Sequence, residues 1–436
     1  MQVLKTDYTF IIIGNGIAGT TAARNLRKRS DKSILIISDE TPYFFSRTAL
    51  MYVFMGHMRF EDIQPYEKEF WTQNKIDLLQ QTVTRISSKE NTIMLASGQT
   101  IGYATLILAT GSKPKHISPL DPEIKGVQSF YHKLDLENLE HWVQDTQNAL
   151  VVGGGLIGIE LAEMLHSRKK NVHFLIREDY FGGMILPVEE RKMVTEHLQK
   201  HGINLYLEDT VDKLLTDENG RIKYVQTTQG KKITCEWLGL AVGVDPNIGW
   251  LRNNSIDTQK GILVNEYLQT NVDNIYAIGD CAQLIHPPKD RKAIEAVWYS
   301  GRAMGETVAK TLCGKPTVYN PGPWFNSAKF FDIEYQTYGQ VQLEPKKNEE
   351  QHLFWKHPKK NRSLRLAFEP SSERFLGIIA LGHRLRHHLF DKWIREKRNL
   401  SYVIDHLPKA DFNPELTRTA YDKMNFKSQW HKLQKA

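Results

Sequence analysis

Two six-residue phrases, Gly14-Asn15-Gly16-Ile17-Ala18-Gly19 and Gly153-Gly154-Gly155-Leu156-Ile157-Gly158, place glycine at their first, third and sixth positions and stand 139 residues apart. At this spacing the first glycine permits a tight turn. The second lets backbone approach a pyrophosphate, and the third lets a helix close on a strand, with the helix N-terminus directed at the phosphates. Asp39 and Glu40 follow the first phrase by about 20 residues, where a carboxylate can accept from ribose hydroxyls. After the second phrase that position is Ile176, followed by Arg177 and Glu178. The chemistry on offer is the binding of two dinucleotides.

Such phrases need a strand before them and a helix after. Apolar runs at 8–13 and 34–37 flank the first phrase, with a helix-compatible TTAARNLRKR between; runs at 149–152 and 172–176 flank the second, with LAEMLHSR. The two halves also close alike, with YATLILATGS at 103–112 and LGLAVGVDP at 238–246. A further strand-like phrase, NIYAIGDCA at 274–282, ends in Gly279-Asp280. The expectation is an α/β chain with two Rossmann-like domains.

With these elements, residues 8–310 resemble the two-dinucleotide flavoproteins of the pyridine nucleotide-disulfide oxidoreductase superfamily. The nearest branch is that of ferredoxin and rubredoxin reductases, nitrite reductase large subunits and apoptosis-inducing-factor-like proteins. The resemblance implies an FAD domain in two pieces, 1–115 and 243–315, an NAD(P)H domain at 116–242, and a third, α+β domain at 316–436. Pro114, Pro119 and Pro246 suit the crossings. It assigns the FAD pyrophosphate to Gly14, Gly16 and Gly19 and the adenosine ribose to Glu40. Asp280, after Gly279, is matched to the ribityl chain or pyrophosphate, and Thr110 and Gly111 join the flavin set. Arg47, in ETPYFFSRTAL, matches a residue that passes beside the flavin. Glu160 matches a glutamate that some relatives pair with a lysine near flavin N5, but the lysine position is Tyr52 here. Glu295 and Trp298 fall in a segment that meets the flavin pyrimidine. Gly153, Gly155, Gly158, Arg177 and Glu178 would hold the nicotinamide cofactor.

NADH is slightly favoured over NADPH. Gly158 completes the tighter form of the phrase and Glu178 can accept from ribose, whereas Arg177 could bind a 2′-phosphate; the second arginine of such sites is Gly183 here. Disulfide-reducing relatives carry a cysteine pair, or one cysteine near Ala49. Neither is present, and Cys235, Cys281 and Cys313 are scattered. The implied reaction is hydride transfer from nicotinamide to flavin, then electron release to a separate acceptor. An acidic iron-sulfur protein, ferredoxin or rubredoxin, is the favoured acceptor. A quinone or small oxidant is the alternative within enzymes, and a redox-switched flavoprotein that binds a partner is the alternative outside them.

Charge singles out the third domain. The 436 residues carry a net +7, yet residues 316–436 hold 21 basic against 13 acidic side chains, which leaves the remainder at −1. Segments 363–368 and 375–381 alternate as strands, and PWFNS at 323–327 resembles the opening of the relatives' C-terminal domain, with Asn326 where they often place a tryptophan over the flavin. Leu385, Leu389, Phe390, Trp393 and Ile394 predict an amphipathic helix over 383–399, with Arg384, Arg386, His387, Arg395, Lys397 and Arg398 on its polar faces. That face reads as a dock for an acidic redox protein, with contact to a membrane surface as the alternative, extended by residues 423–435. No metal site is expected, because His383 and His387 lack a carboxylate or cysteine companion. No nucleic-acid motif occurs. The chain shows no apolar run of membrane-spanning length and enters its first strand without room for a signal peptide, so a cytoplasmic protein is the default. A homodimer is compatible with the sequence.

Overall fold

The computed structural model describes residues 5–115, 118, 123–251, 254–412, 421 and 424–434; Pro119, Lys423 and Lys435 lie outside the described residues. Five helices bear on the site: α1 (Ile17–Arg27), α2 (Leu156–Ser167), α3 (Val188–Lys200), α4 (Trp298–Leu312) and α5 (His387–Arg395). The chain divides into two units. One joins Met1–Lys115, Tyr131–Glu140 and Gly243–Pro321, and the other joins His116–Phe130, His141–Val242 and Gly322–Ala436.

In the first unit the isoleucine-rich strand Asp7–Ile13 lies between Ile34–Ser38 and Thr100–Leu108, all parallel. Ile76–Gln80 extends one edge, and Ile275–Ala277 pairs with the end of Thr100–Leu108. Strands covered on both faces must be apolar along their length, and Ile11, Ile12, Ile36, Ile37, Leu106 and Ile107 are all buried. Helix α4 packs against α1 at close range, since a Cβ on Gly305 would lie 2.6 Å from the Ala18 carbonyl oxygen. The start of Thr100–Leu108 also anchors an antiparallel ribbon with Thr92–Leu95 and Val83–Ser87.

The second unit repeats the plan. Its parallel sheet runs Asn204–Tyr206, Asn171–Leu175, Asn148–Val152, Trp237–Leu240, Val127–Ser129, beside an antiparallel trio, Val211–Thr216, Ile222–Thr227 and Lys232–Thr234. The C-terminal part is a five-stranded antiparallel sheet in the order Phe325–Phe330, Ile333–Gly339, Phe375–Leu381, Ser363–Phe368, Gln351–Lys356. Phe390 and Trp393 of α5 complete its core with Tyr338, Leu366 and Ile378. Arg365 of this sheet is buried and donates to Glu190 of α3 at 2.9 and 2.8 Å and to Glu189 at 2.6 Å. A guanidinium taken out of water needs such carboxylates to be tolerated.

The architecture is that of two Rossmann-like cores and a C-terminal α+β sheet. One sequence expectation is corrected. The helix predicted over 383–399 begins only at His387, because residues 383–386 take part in extended contacts: Leu385 bridges Asp411 and donates its backbone N–H to Gln336 Oε1 at 2.8 Å. Gly382, at φ +66°, turns the chain out of the preceding strand.

Candidate functional site

The two glycine phrases adopt the same local structure. Gly14 and Gly153 have φ of +109° and +116°, and a Cβ there would collide with the carbonyl oxygens of Ala109 and Ala241 at 2.1 and 2.3 Å. Gly19 and Gly158 touch the backbone of their own turns, where a Cβ would lie 2.0 Å from Gly14 O and 2.1 Å from Gly153 O. At the middle glycines the situation reverses. A Cβ on Gly16 or Gly155 would meet nothing within 4 Å. These two residues cap α1 and α2 without any side-chain hydrogen bond to the first-turn N–H groups. Each phrase therefore presents unpaired helix N–H groups across an open, side-chain-free approach, which fits a pyrophosphate in both places.

Near the first turn, Glu40 is held by hydrogen bonds from two segments. Arg47 donates to both of its carboxylate oxygens, at 3.0 and 2.5 Å, and the Lys133 amide donates to Oε1 at 2.8 Å. Burial by itself would raise the Glu40 carboxyl, but hydrogen bonds from His132 and Arg47, the Arg47 charge and the Lys133 amide hold it at about 2. Arg47 also donates to the Tyr131 carbonyl at 2.5 Å and lies 4.5 Å from the Tyr131 ring centroid. Beside Glu40 opens a cleft of about 720 Å³ lined by Thr41, Pro42, Val53, Phe60, Gln80 and Lys133.

Asp280 follows Gly279, whose φ of +74° turns the chain into a short 3-10 segment. Its Oδ2 accepts from Ser112 Oγ at 2.8 Å; burial raises its carboxyl, against the Ser112 bond and the Arg47 charge. Thr110 Oγ1 donates to the Asn247 carbonyl at 3.0 Å, and the Asn247 amide donates to the Gly111 carbonyl at 2.9 Å. Tyr52 lies on a short helix, Leu50–Phe54, with its ring 6.1 Å from that of His57. Glu295 is enclosed by Arg291, which donates to it at 2.6 and 2.5 Å, and by Ser300 Oγ at 2.7 Å. Trp298 opens α4, partly buried, edge-on to Tyr299.

In the second unit Glu160 lies in the second turn of α2, and burial together with Glu163 pushes its carboxyl up to about 7. Ile176 is fully buried, whereas the following Arg177 is exposed and donates to Glu178 Oε1 at 2.8 Å. Glu178 overlies the glycine turn, its Oε2 being 3.7 Å from where a Gly154 Cβ would stand. A Cβ on Gly183 would come within 2.7 Å of Glu178 Cγ. On the C-terminal sheet Asn326 Oδ1 accepts from the Ser327 amide at 2.9 Å. His383 is buried outside α5 and its imidazole is pushed down to about 3 by burial, with Arg362 and His357 acting in the same direction; it does not share a helical turn with His387.

Sequence reasoning missed Ser112, Tyr131, His132 and Lys133. Ser112 directly follows Thr110-Gly111 and was within reach. Residues 131–133 bear no motif and come to Glu40 only because the segment Tyr131–Glu140 folds into the first unit.

The fold and both turns define a nucleotide-dependent oxidoreductase class. A model described as "pyridine nucleotide-disulphide oxidoreductase" matches residues 8–305. The chain is 28% identical over 334 residues to the ferredoxin reductase subunit of 5,5'-dehydrodivanillate O-demethylase from Sphingobium sp., covering 76% of this chain and 81% of that one. It is 30% identical over 338 residues to an NADH oxidase of Methanocaldococcus jannaschii, covering 74% of each. Against a longer relative, a nitrite reductase [NAD(P)H] of Bacillus subtilis, it matches only 34% of that protein's length at 27% identity. In fold it is similar to an NAD-dependent persulfide reductase from A. fulgidus, with a TM-score of 0.84 and 21% identity over 97% of this chain and 83% of that one. The chain belongs to the pyridine nucleotide-disulphide oxidoreductase family. It is an FAD-dependent NAD(P)H oxidoreductase.

Proposed function

We propose that this protein takes a hydride from NADH and delivers electrons one at a time to an acidic iron-sulfur protein of the ferredoxin or rubredoxin type. The carrying observation is the state of its cysteines. Cys235, Cys281 and Cys313 are all free thiols, and burial raises each of them away from the reactive thiolate. Cys281, nearest in sequence to the flavin set, donates to the carbonyls of Ile278 and Leu108 at 3.3 and 3.5 Å. With no thiol relay, electrons leave directly for an outside acceptor, as the similarity to a ferredoxin reductase subunit supports.

We assign FAD to 1–115 with 243–315, joined by Tyr131–Glu140, the nicotinamide nucleotide to the rest of 116–242, and the acceptor to 316–436. When bound, FAD would supply a centre that takes the two electrons of one hydride together and can give them up singly. The chain's own part is to bind and orient: the first glycine turn and Glu40 hold the adenosine diphosphate portion, and Asp280 accepts from the ribityl hydroxyls. On the nicotinamide side Glu178 occupies the place of a ribose acceptor and holds Arg177, which favours NADH over NADPH. A second reading, reduction of a small oxidant, is favoured by the similarity to an NADH oxidase. Stopped-flow mixing of the NADH-reduced protein with ferredoxin, rubredoxin, a quinone and dioxygen tests both. Fast reoxidation by an iron-sulfur protein supports the first reading, and reoxidation only by dioxygen or quinone replaces it with the second.

A further inference from the structure

Away from both nucleotide turns, the second unit brings two histidines and a carboxylate to one point. His197 lies in the last turn of α3 and His201 caps it, so the two imidazoles share one face of the helix. Asp332 comes from the tight turn between strands Phe325–Phe330 and Ile333–Gly339, where Phe331 takes φ +56°. Its Oδ1 stands 2.5 Å from His197 Nε2 and 3.6 Å from His201 Nε2, and the three ligand atoms all lie within 4.8 Å of one another. Among the described residues this is the only group of three or more such side chains so placed.

We propose that His197, His201 and Asp332 form a binding site for a divalent transition-metal ion of the zinc type. A tetrahedral ion with bonds of about 2.1 Å holds its ligand atoms about 3.4 Å apart, so the two imidazole nitrogens and the carboxylate need only small rotations to meet that spacing. The outer contacts suit it. His201 Nδ1 donates to the His197 carbonyl at 3.0 Å, which leaves Nε2 with its lone pair toward Asp332. His197 Nδ1 lies 2.7 Å from the Asn361 amide, and a half-turn of that amide presents its oxygen to Nδ1–H and frees Nε2 for the ion. The Phe331 ring, 4.9 Å from that of His201, shields one side. His197 is 5% exposed and Asp332 73%, so the ion would enter from the solvent side and keep a water as its fourth ligand. Two nitrogens and one oxygen are borderline donors, which favour zinc and its neighbours over calcium or magnesium. The ion would pin α3 to the C-terminal hairpin within one unit.

The test uses tag-free, full-length, FAD-loaded protein stripped with chelator and titrated with Co²⁺ or Zn²⁺ alone. One ion per chain is expected, with visible d–d bands for Co²⁺. At about 100-fold excess over Kd the thermal midpoint should rise by roughly 3 °C. Asp332→Asn and His201→Gln should each weaken binding at least tenfold, and a surface control, His431→Gln, should not. Absence of binding, or unchanged affinity in Asp332→Asn, overturns the proposal. Asp332 is exposed, so this variant carries the test even if His201→Gln fails to fold.

Discussion

Arg47 grips Glu40 with two parallel hydrogen bonds, Nη1 to Oε1 at 3.0 Å and Nη2 to Oε2 at 2.5 Å. The family resemblance gives these two residues separate duties, one at the adenosine ribose and one beside the flavin. In the structure they form one unit, closed by Tyr131 on the arginine side and Lys133 on the carboxylate side. Glu40 is thereby held ionised and fixed in place, which suits the ribose acceptor proposed for it. Charge-assisted bonds of this kind contribute about 1.5–3 kcal/mol each. Arg47→Ala should raise the Kd for FAD roughly tenfold or more, measured by fluorescence titration of apoprotein. Arg47→Lys should not restore it, because an ammonium cannot span both oxygens.

The same pair sets an acid limit. Glu40 titrates at about 2 in the folded chain against an ordinary 4.5, so its contribution is complete above that ordinary value and is lost as pH falls toward 2. The full amplitude is up to about 3 kcal/mol. Thermal midpoint and flavin retention should therefore decline across this window, and Glu40→Gln should flatten the decline while lowering the plateau.

Glu160 has the opposite sign. Its carboxyl, raised to about 7, favours folding below 4.5 and loses that contribution as pH rises through 7. Glu160→Gln should remove this slope from the thermal midpoint. If Glu160 also serves the nicotinamide pocket, the rate of flavin reduction by NADH will show an apparent pKa near 7 in the wild type and none in the variant. A pH-independent wild-type rate would confine Glu160 to a structural part.

The proposed preference for NADH makes Glu178 the residue to test. Its replacement by glutamine removes the carboxylate over the glycine turn and releases Arg177 to meet a 2′-phosphate. The ratio of kcat/KM for NADPH to that for NADH should rise about tenfold, chiefly through KM.

Much of the basic surface is already paired. Arg384 binds Glu334, Arg395 binds Asp391 at 2.8 Å, and Arg398 and Lys392 bind Glu396. Side-chain contact with a partner would have to break these pairs, but the surplus charge still acts at a distance. Reversing Arg384, Arg386 and Arg395 together should slow reoxidation by an acidic ferredoxin about tenfold at low salt. Added salt should slow the wild type and leave the triple variant nearly unaffected. Equal rates for both proteins at every ionic strength would dismiss the docking face.

The parts legible in the sequence are those governed by local rules. The glycine spacing announced both turns because a Cβ at Gly14 or Gly153 has nowhere to go, and the isoleucine runs announced strands buried on both faces. Contacts made by distant segments were not legible: the Tyr131–Lys133 wall around Glu40 has no pattern of its own, and Ser112 reaches Asp280 across 168 residues. The helix at α5 was set four residues too early, because the apolar period runs through Leu385 while that residue's backbone is bonded to neighbouring strands. The His197–His201 pair was visible as i,i+4, but its carboxylate lies 131 residues further along.

The first parallel sheet takes its strand Ile275–Ala277 from far beyond the strand it pairs with, which ends at Leu108. During synthesis at about 5–20 residues per second, roughly 10–30 s separate the emergence of the two from the ribosome. Through that interval the inner edge at Leu106–Leu108, three apolar residues with unmatched backbone groups, waits while an entire second nucleotide fold is made and α4 is still absent from its place on α1. Nascent chains stalled before residue 275 should therefore be the aggregation-prone, chaperone-bound form of this protein, and completion of α4 the point at which it lets go.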